Sequence, residues 1–358
     1  MANTLQQYFP IIREKRDILQ EIQNSTALCT TFYSWKIEQQ EEFLNFCSGA
    51  KGVKMIYDGF FKEILSPEYA PERLNDFLSV LLGVKVKILF VLPTDSTRLG
   101  DESSLVIMDI VVQLEDGSII NIEMQKIGYK FPGERSACYS ADLLLRQYKR
   151  VRDEKKERFK YSDIKQVYTI VLFDKAPKEF HQEYLHYIEP KSNTGIELNL
   201  LQKYLFIPLD IFKIIRQNNG IRNEQDAWLT FLSSDDLDDI IYLIEHYPKF
   251  KPMYQEIYNL CQNMEKIMSI FSEELRILDQ NTVKFMMDEM NEELENLKNQ
   301  KTTLQNENAD LQSKNTDLQS KNTDLQNENT NLKSENADLQ KQCSELLKQI
   351  YSLNNSSS

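Results

Sequence analysis

The most informative run of apolar and polar positions is residues 105–125, LVIMDIVVQLEDGSIINIEMQ, where two β-branched-rich stretches flank Glu115, Asp116 and Gly117. That spacing predicts a β-hairpin. A three-residue loop ending in a left-handed glycine pairs Leu114 with Ser118 and, stepping outward, Asp109 with Glu123. One face then carries Val106, Met108, Ile110, Val112, Ile120, Ile122 and Met124, all apolar. The other carries Asp109, Glu123 and Gln125 among Leu105, Ile107, Val111 and Ile119, less charged than a solvated sheet face. Directly opposed side chains lie about 5 Å apart at Cβ, where like charges repel. Two adjacent carboxylates call for compensation, and a divalent cation is the simplest source of it. A two-residue Asp116-Gly117 loop would shift the register by one and send the carboxylates to opposite faces. The site depends on the longer loop.

Around the hairpin the pattern predicts an α/β chain. Residues 1–50 read as a polar, helical accessory segment with apolar positions at Leu19, Ile22, Phe32 and Trp35. Residues 55–65 and 74–82 have helical periodicity, and residues 85–92 read as a strand. After a loop at 128–133, residues 134–150 form a helix on which Arg135, Tyr139 and Asp142 share a face, being four and three apart. Residues 167–173 and 204–208 are continuous apolar runs, as buried strands are. From 211 to about 290 the pattern is helical again. Asp235 and Asp236 suit a helix start, and Trp228, Phe231, Tyr242 and Tyr247 serve as core of a helical subdomain.

Leucine then recurs every seven residues from Leu297 to Leu353, with asparagine four residues on at 308, 315, 322, 329 and 336. With leucine at heptad position d, asparagine fills five successive a positions. Cys343 and Ile350 follow at a. Buried asparagine at a fixes register and favours parallel dimers at a cost in stability. As one helix this stretch spans about 85 Å at ~1.5 Å per residue. The competing reading is a low-complexity polar tail, disordered when alone. The expected division is 1–50 accessory, 51–215 α/β domain, 216–290 helical subdomain, 291–353 coiled coil and 354–358 disordered tail.

Composition, at 41% hydrophobic and 27% charged, is that of a soluble protein. The longest apolar region, residues 78–92, is broken by Lys85 and Lys87, so no membrane span is expected. The first fifteen residues lack the basic start and apolar core of a signal peptide, which makes the cytoplasm the expected location. Five scattered cysteines offer neither a disulfide framework nor a zinc site. His181 and His186 read as a loop or surface pair. A net charge of −13 argues against a nucleic-acid partner, but it is unevenly spread. Residues 146–160 hold eight Lys/Arg against three Asp/Glu, and the tail from 288 carries −6. Two readings of 146–160 stand: a solvated helix face with internal ion pairs, or a phosphate-binding patch built on Arg146, Lys149, Arg150 and Arg152.

The order Asp109, short turn, Glu123-Met124-Gln125 resembles the core motif of the PD-(D/E)XK nuclease superfamily. Further segments resemble one branch of it, the PD-(D/E)XK family transposases, also called recombination-promoting nucleases. These segments are Tyr57-Asp58-Gly59-Phe60-Phe61-Lys62, the apolar stretch at 74–82, the strand Asn121-Ile122-Glu123-Met124-Gln125, the helix with Arg135 and Tyr139, and the strand at 167–173. The resemblance covers roughly residues 51–215. Gln125 stands where many members carry lysine, and no Pro-Asp pair precedes Asp109.

The resemblance implies a restriction-endonuclease-like core, a mixed central sheet flanked by helices, followed here by a helical region and the long coiled coil. It implies a metal-dependent DNA endonuclease of a mobile-element or recombination-promoting type. Mg²⁺, for which Mn²⁺ can substitute, would be held by Asp109, Glu123, a backbone oxygen at Met124 and Asp58. Asp58 could equally be a helix-start acid favouring the macrodipole. Gln125 would orient the attacking water, and Arg135 would contact phosphate; a structural ion pair of Arg135 with Asp109 or Glu123 is the alternative. DNA and a second copy of the chain, in a parallel homodimer, are the expected partners. Two rivals remain open: a catalytically inactive nuclease fold that binds nucleic acid, and a coiled-coil assembly protein whose globular part is a scaffold.

Overall fold

A computed structural model describes residues 4–92, 109–125, 132–177, 179–196 and 198–355. The chain begins with α1 (Thr4–Tyr8), α2 (Lys15–Asn24), α3 (Thr26–Ser34), α4 (Ile37–Cys47), α5 (Asp58–Ile64) and α6 (Pro71–Leu82). Then come β1 (Ile88–Val91), β2 (Ile110–Leu114), β3 (Ile119–Gln125), α7 (Pro132–Lys155), β4 (Val167–Phe173), β5 (His186–Ile188) and β6 (Gln202–Pro208). The chain closes with α8 (Leu209–Asn219), α9 (Glu224–Ser233), α10 (Leu237–His246), α11 (Phe250–Leu260) and α12 (Met264–Asn355). Residues 1–286 form one compact unit and 287–358 a second.

The strands make one mixed sheet in the order β1-β2-β3-β4-β6-β5. Three antiparallel pairings, β1/β2, β2/β3 and β5/β6, flank the parallel β3/β4 and β4/β6 pairs at its centre. The parallel strands are near-continuous apolar runs because both of their faces are covered. On one face Ile110, Val112, Ile120, Ile122, Met124, Ile170, Leu172, Leu205 and Ile207 join the main hydrophobic core. On the other, Tyr139 and Leu143 of α7 close over Val111, Ile119 and Val167.

The hairpin takes the longer loop. Ile110 pairs with Ile122 and Gln113 with Ile119, and the Leu114 N–H donates to the Ser118 carbonyl at 2.9 Å. Gly117 sits at φ +90°, and the Asp116 carboxylate accepts from the Ser118 N–H and hydroxyl. The register therefore continues to Asp109 opposite Glu123. A methyl group on Gly117 would meet the Lys165 side chain at 3.1 Å in a backbone region that L-residues avoid. Gly117→Ala is expected to cost about 1 kcal/mol, read as a lower urea midpoint at unchanged m value.

Helices α1 to α4 are built into the main core: Ile22, Phe32, Trp35, Phe43 and Phe46 are all buried. Trp35, Phe43 and Phe46 surround Phe271 of α12 at ring-centroid distances of 5.1, 5.6 and 5.5 Å. Asp236 caps α10 by accepting from the Asp238 N–H, as the acidic start predicts. Trp228 and Phe231 are buried, but Tyr242 is 38% exposed, stacked on His246. Leu105, Val106, Ile107, Met108 and the loop at 128–131 lie outside the described residues. So do residues 356–358, whereas 354 and 355 end α12. No helix among the described residues is long and apolar enough to cross a membrane.

Candidate active site

Asp109 immediately precedes β2, and Glu123 lies on β3 directly across from it. The Gln125 carbonyl accepts from the Asp174 N–H toward β4. Strand alternation therefore turns the N–H and carbonyl of Met124 toward the β2 side. There the Asp109 carboxylate takes the Met124 N–H at 2.7 Å. Glu123, only 3% exposed, accepts at 3.0 Å from the side-chain amide of Asn121, two residues back on the same face. Burial pushes the Glu123 carboxyl well up, and the Asp109 charge pushes it further. Asn121, Arg135 and the Asp109 backbone pull it partly down. The two carboxylates thus share one face and act on each other.

The first turn of α7 brings Arg135 over the Tyr139 ring, 5.2 Å from its centroid. Burial raises the Tyr139 hydroxyl; Arg135 lowers it, and Glu123 and Asp109 raise it, so all four groups converge beneath the helix start. Gln125 is buried with neither polar atom of its amide hydrogen-bonded among the described residues. Among the described residues nothing offsets the roughly 1–3 kcal/mol cost of burying such an amide unpaired.

Lys62 is a contributor that sequence reasoning quoted without assigning a role. It reaches from α5, its Nζ 3.2 Å from the Asp109 carboxylate. It stands four residues after Asp58 on that helix, and this spacing was the available signal. Asp58 opens α5, but its side chain lies outside the described residues.

These residues fit a hard divalent cation. Two carboxylates, a carbonyl-bearing backbone edge and an amide oxygen are the oxygen donors that Mg²⁺ and Mn²⁺ prefer. Among the described residues no three His, Cys, Asp or Glu side chains cluster to hold a metal, and this site itself brings together two.

The basic segment divides. Arg146 pairs with Asp142 at 2.5 Å, one turn back on α7, and is largely covered. Lys149 and Arg152 are exposed and Arg150 is half-buried. Arg152 lies over the Tyr148 ring at 5.7 Å.

The sequence model of the PD-(D/E)XK nuclease family transposase matches residues 55–291, about two-thirds of the chain. The chain belongs to that family. The match takes in the candidate site and runs on through α8 to α11 into α12, well past the segment whose motifs resemble the family. No curated protein and no solved structure matches the chain. For a PD-(D/E)XK nuclease family transposase the mixed sheet is the expected scaffold, and members of this superfamily typically use divalent metals.

Proposed function

We propose that the chain is a metal-dependent DNA endonuclease that hydrolyses phosphodiester bonds. The observation that carries this reading is the placement of Asp109 and Glu123 face to face at the open end of the hairpin. One of them is buried and disfavoured as an anion by the other. Asp109, Glu123 and the Met124 carbonyl would hold Mg²⁺, with Asp58 of α5 as a further ligand. When bound, the ion supplies polarisation of the scissile phosphate and a water of lowered pKa.

Gln125 has no basicity at neutral pH, so it orients the attacking water through its amide. Lys62 supplies, from α5, the positive charge that position 125 lacks. Arg135 offsets charge developing on the phosphate. Lys149, Arg150 and Arg152 give sequence-independent backbone affinity that weakens with salt; Arg146, largely covered and already paired with Asp142, adds least. A second copy of the chain, joined through α12, would bring a second site to the opposite strand.

Purified protein is expected to nick supercoiled plasmid with Mg²⁺ or Mn²⁺ and to stop when EDTA is added. DNA binding that persists with no cleavage under any divalent ion would overturn the catalytic reading and favour a nuclease fold that only binds.

A further inference from the structure

From residue 286 to 350 every described residue of α12 is exposed. Met287, Met290, Leu294 and the leucines from Leu297 to Leu346 form a single stripe, each more than half exposed. The stripe is longer than the leucine repeat alone indicates, because 287, 290 and 294 continue the same a and d positions. Between its leucines the helix is rich in Asn, Ser, Thr and Asp, which are poor helix formers. A helix of that composition, solvated on all sides, is marginal in water and needs a partner along its apolar stripe.

We infer that this partner is a second copy of the same chain, lying parallel and in register. The heptad pattern selects among the occupants. In a parallel, in-register pair, asparagine at 308, 315, 322, 329 and 336 meets its own counterpart, and each amide pair can bond across the seam. Antiparallel pairing sets a layers against d layers, so each asparagine would face a leucine and its buried amide would go unpaired. An unrelated helix carries no reason to repeat asparagine at the same five layers.

Charge along the flanks of the seam agrees with this choice, while at a the one opposing pair is Lys301 against its own counterpart. Glu328 at position g reaches Lys333 of the second copy at e, and the e positions 305, 312, 319, 326 and 340 are all glutamine, which repels nothing. The repeats from 304 to 340 are nearly identical, so register must be fixed at the ends. A slip of one heptad sets Leu294 against Lys301 and Asn336 against Cys343. It also brings Lys321 opposite Lys333. Parallel strands tether both N-terminal units at the same end of the coil.

The test uses the full chain with Cys29→Ser and Cys138→Ser, which leaves Cys343 as the exposed thiol among the described residues. Sedimentation equilibrium at micromolar concentration is expected to give twice the chain mass. Diamide, which takes two electrons and two protons from a thiol pair, is expected to convert nearly all of it to a covalent dimer. Adding Cys343→Ser abolishes the crosslink, and adding Asn315→Cys to that variant restores it. A monomer, or a trimer or larger assembly, would overturn the inference. So would a dimer that crosslinks at neither 343 nor 315, or one that crosslinks only when Asn315→Cys and Asn322→Cys chains are mixed. None of these readouts depends on cleavage, so the inference stands or falls separately from the nuclease reading.

Discussion

Glu123→Gln is expected to lower metal-dependent cleavage by at least ~10²-fold and, in the same molecule, to make the metal-free protein more stable. Asp109→Ala should match it in the first effect. The second effect follows from burial. Glu123 is almost fully enclosed and faces Asp109, so its carboxyl holds a proton well above the ordinary value of 4.5. A carboxyl whose pKa is higher in the folded state gives its full stabilisation below the unfolded value. That contribution is lost as pH rises through the folded value. Metal-free wild type should therefore lose stability from about pH 4.5 towards neutrality and above. The glutamine variant has no such proton to lose, keeps an acceptor for the Asn121 amide and avoids the charge beside Asp109.

A gain of about 0.5–2 kcal/mol is expected, the usual size of a single stabilising substitution. Each kcal/mol raises the melting temperature by roughly 2–4 °C in a chain of this size. Thermal melts in EDTA from pH 5 to 8 measure the gain. Melts with Mn²⁺ measure the converse: wild type should gain about 2.7 kcal/mol at a hundredfold excess over Kd, and the variant almost none. A variant less stable than wild type in EDTA at pH 8, or one equally stabilised by Mn²⁺, would show that Glu123 is a structural acid.

The hairpin was legible because its information is local. Gly117 and the alternation on either side of it fix which residues face each other, and the observed pairing from Gln113/Ile119 to Ile110/Ile122 follows from those few residues. Strand β4 was legible to the residue, since a seven-residue apolar run with both faces covered has no other economical reading. Strand β5 was not. It has three residues, is partly exposed at the sheet edge and lies among polar and turn residues, so neither length nor periodicity marks it. Lys62 had one local signal, its place one turn after Asp58, but its contact with Asp109 spans forty-seven positions, beyond the reach of any spacing rule. Burial of Gln125 was foreseeable from the strand pattern. That no described residue pairs with its amide was not, because that depends on what the neighbouring elements place around it.

Phe271→Ala should be among the most damaging single changes in the protein, costing about 3–5 kcal/mol. Phe271 is fully buried in the first turns of α12, and four rings from three stretches of chain meet it. Trp35, Phe43 and Phe46 come from the N-terminal helices, and Tyr57, at 6.4 Å, immediately precedes α5. Residues 1–50 read as an accessory because their apolar positions are sparse. In the fold Trp35, with Phe43 and Phe46, gathers on one side chain more than two hundred residues away, a convergence that no local periodicity encodes.

Removing the ring leaves a cavity that rigid aromatic neighbours cannot close, which places the cost at the upper part of the range for such substitutions. Phe271→Leu keeps most of the volume and should cost less than half as much. Tyr57 is anchored from its other end by a 2.7 Å hydrogen bond from its hydroxyl to Glu42, which also takes Lys54 at 2.9 Å. The cavity should therefore loosen α5 before it disturbs the sheet, and with α5 go Asp58 and Lys62. Urea unfolding of the two variants tests the ranking. Amide exchange in α5 that rises in Phe271→Ala while β3 and β4 stay protected tests the route. Equal exchange in both regions would mean that the N-terminal helices, α5 and the sheet open as one cooperative block.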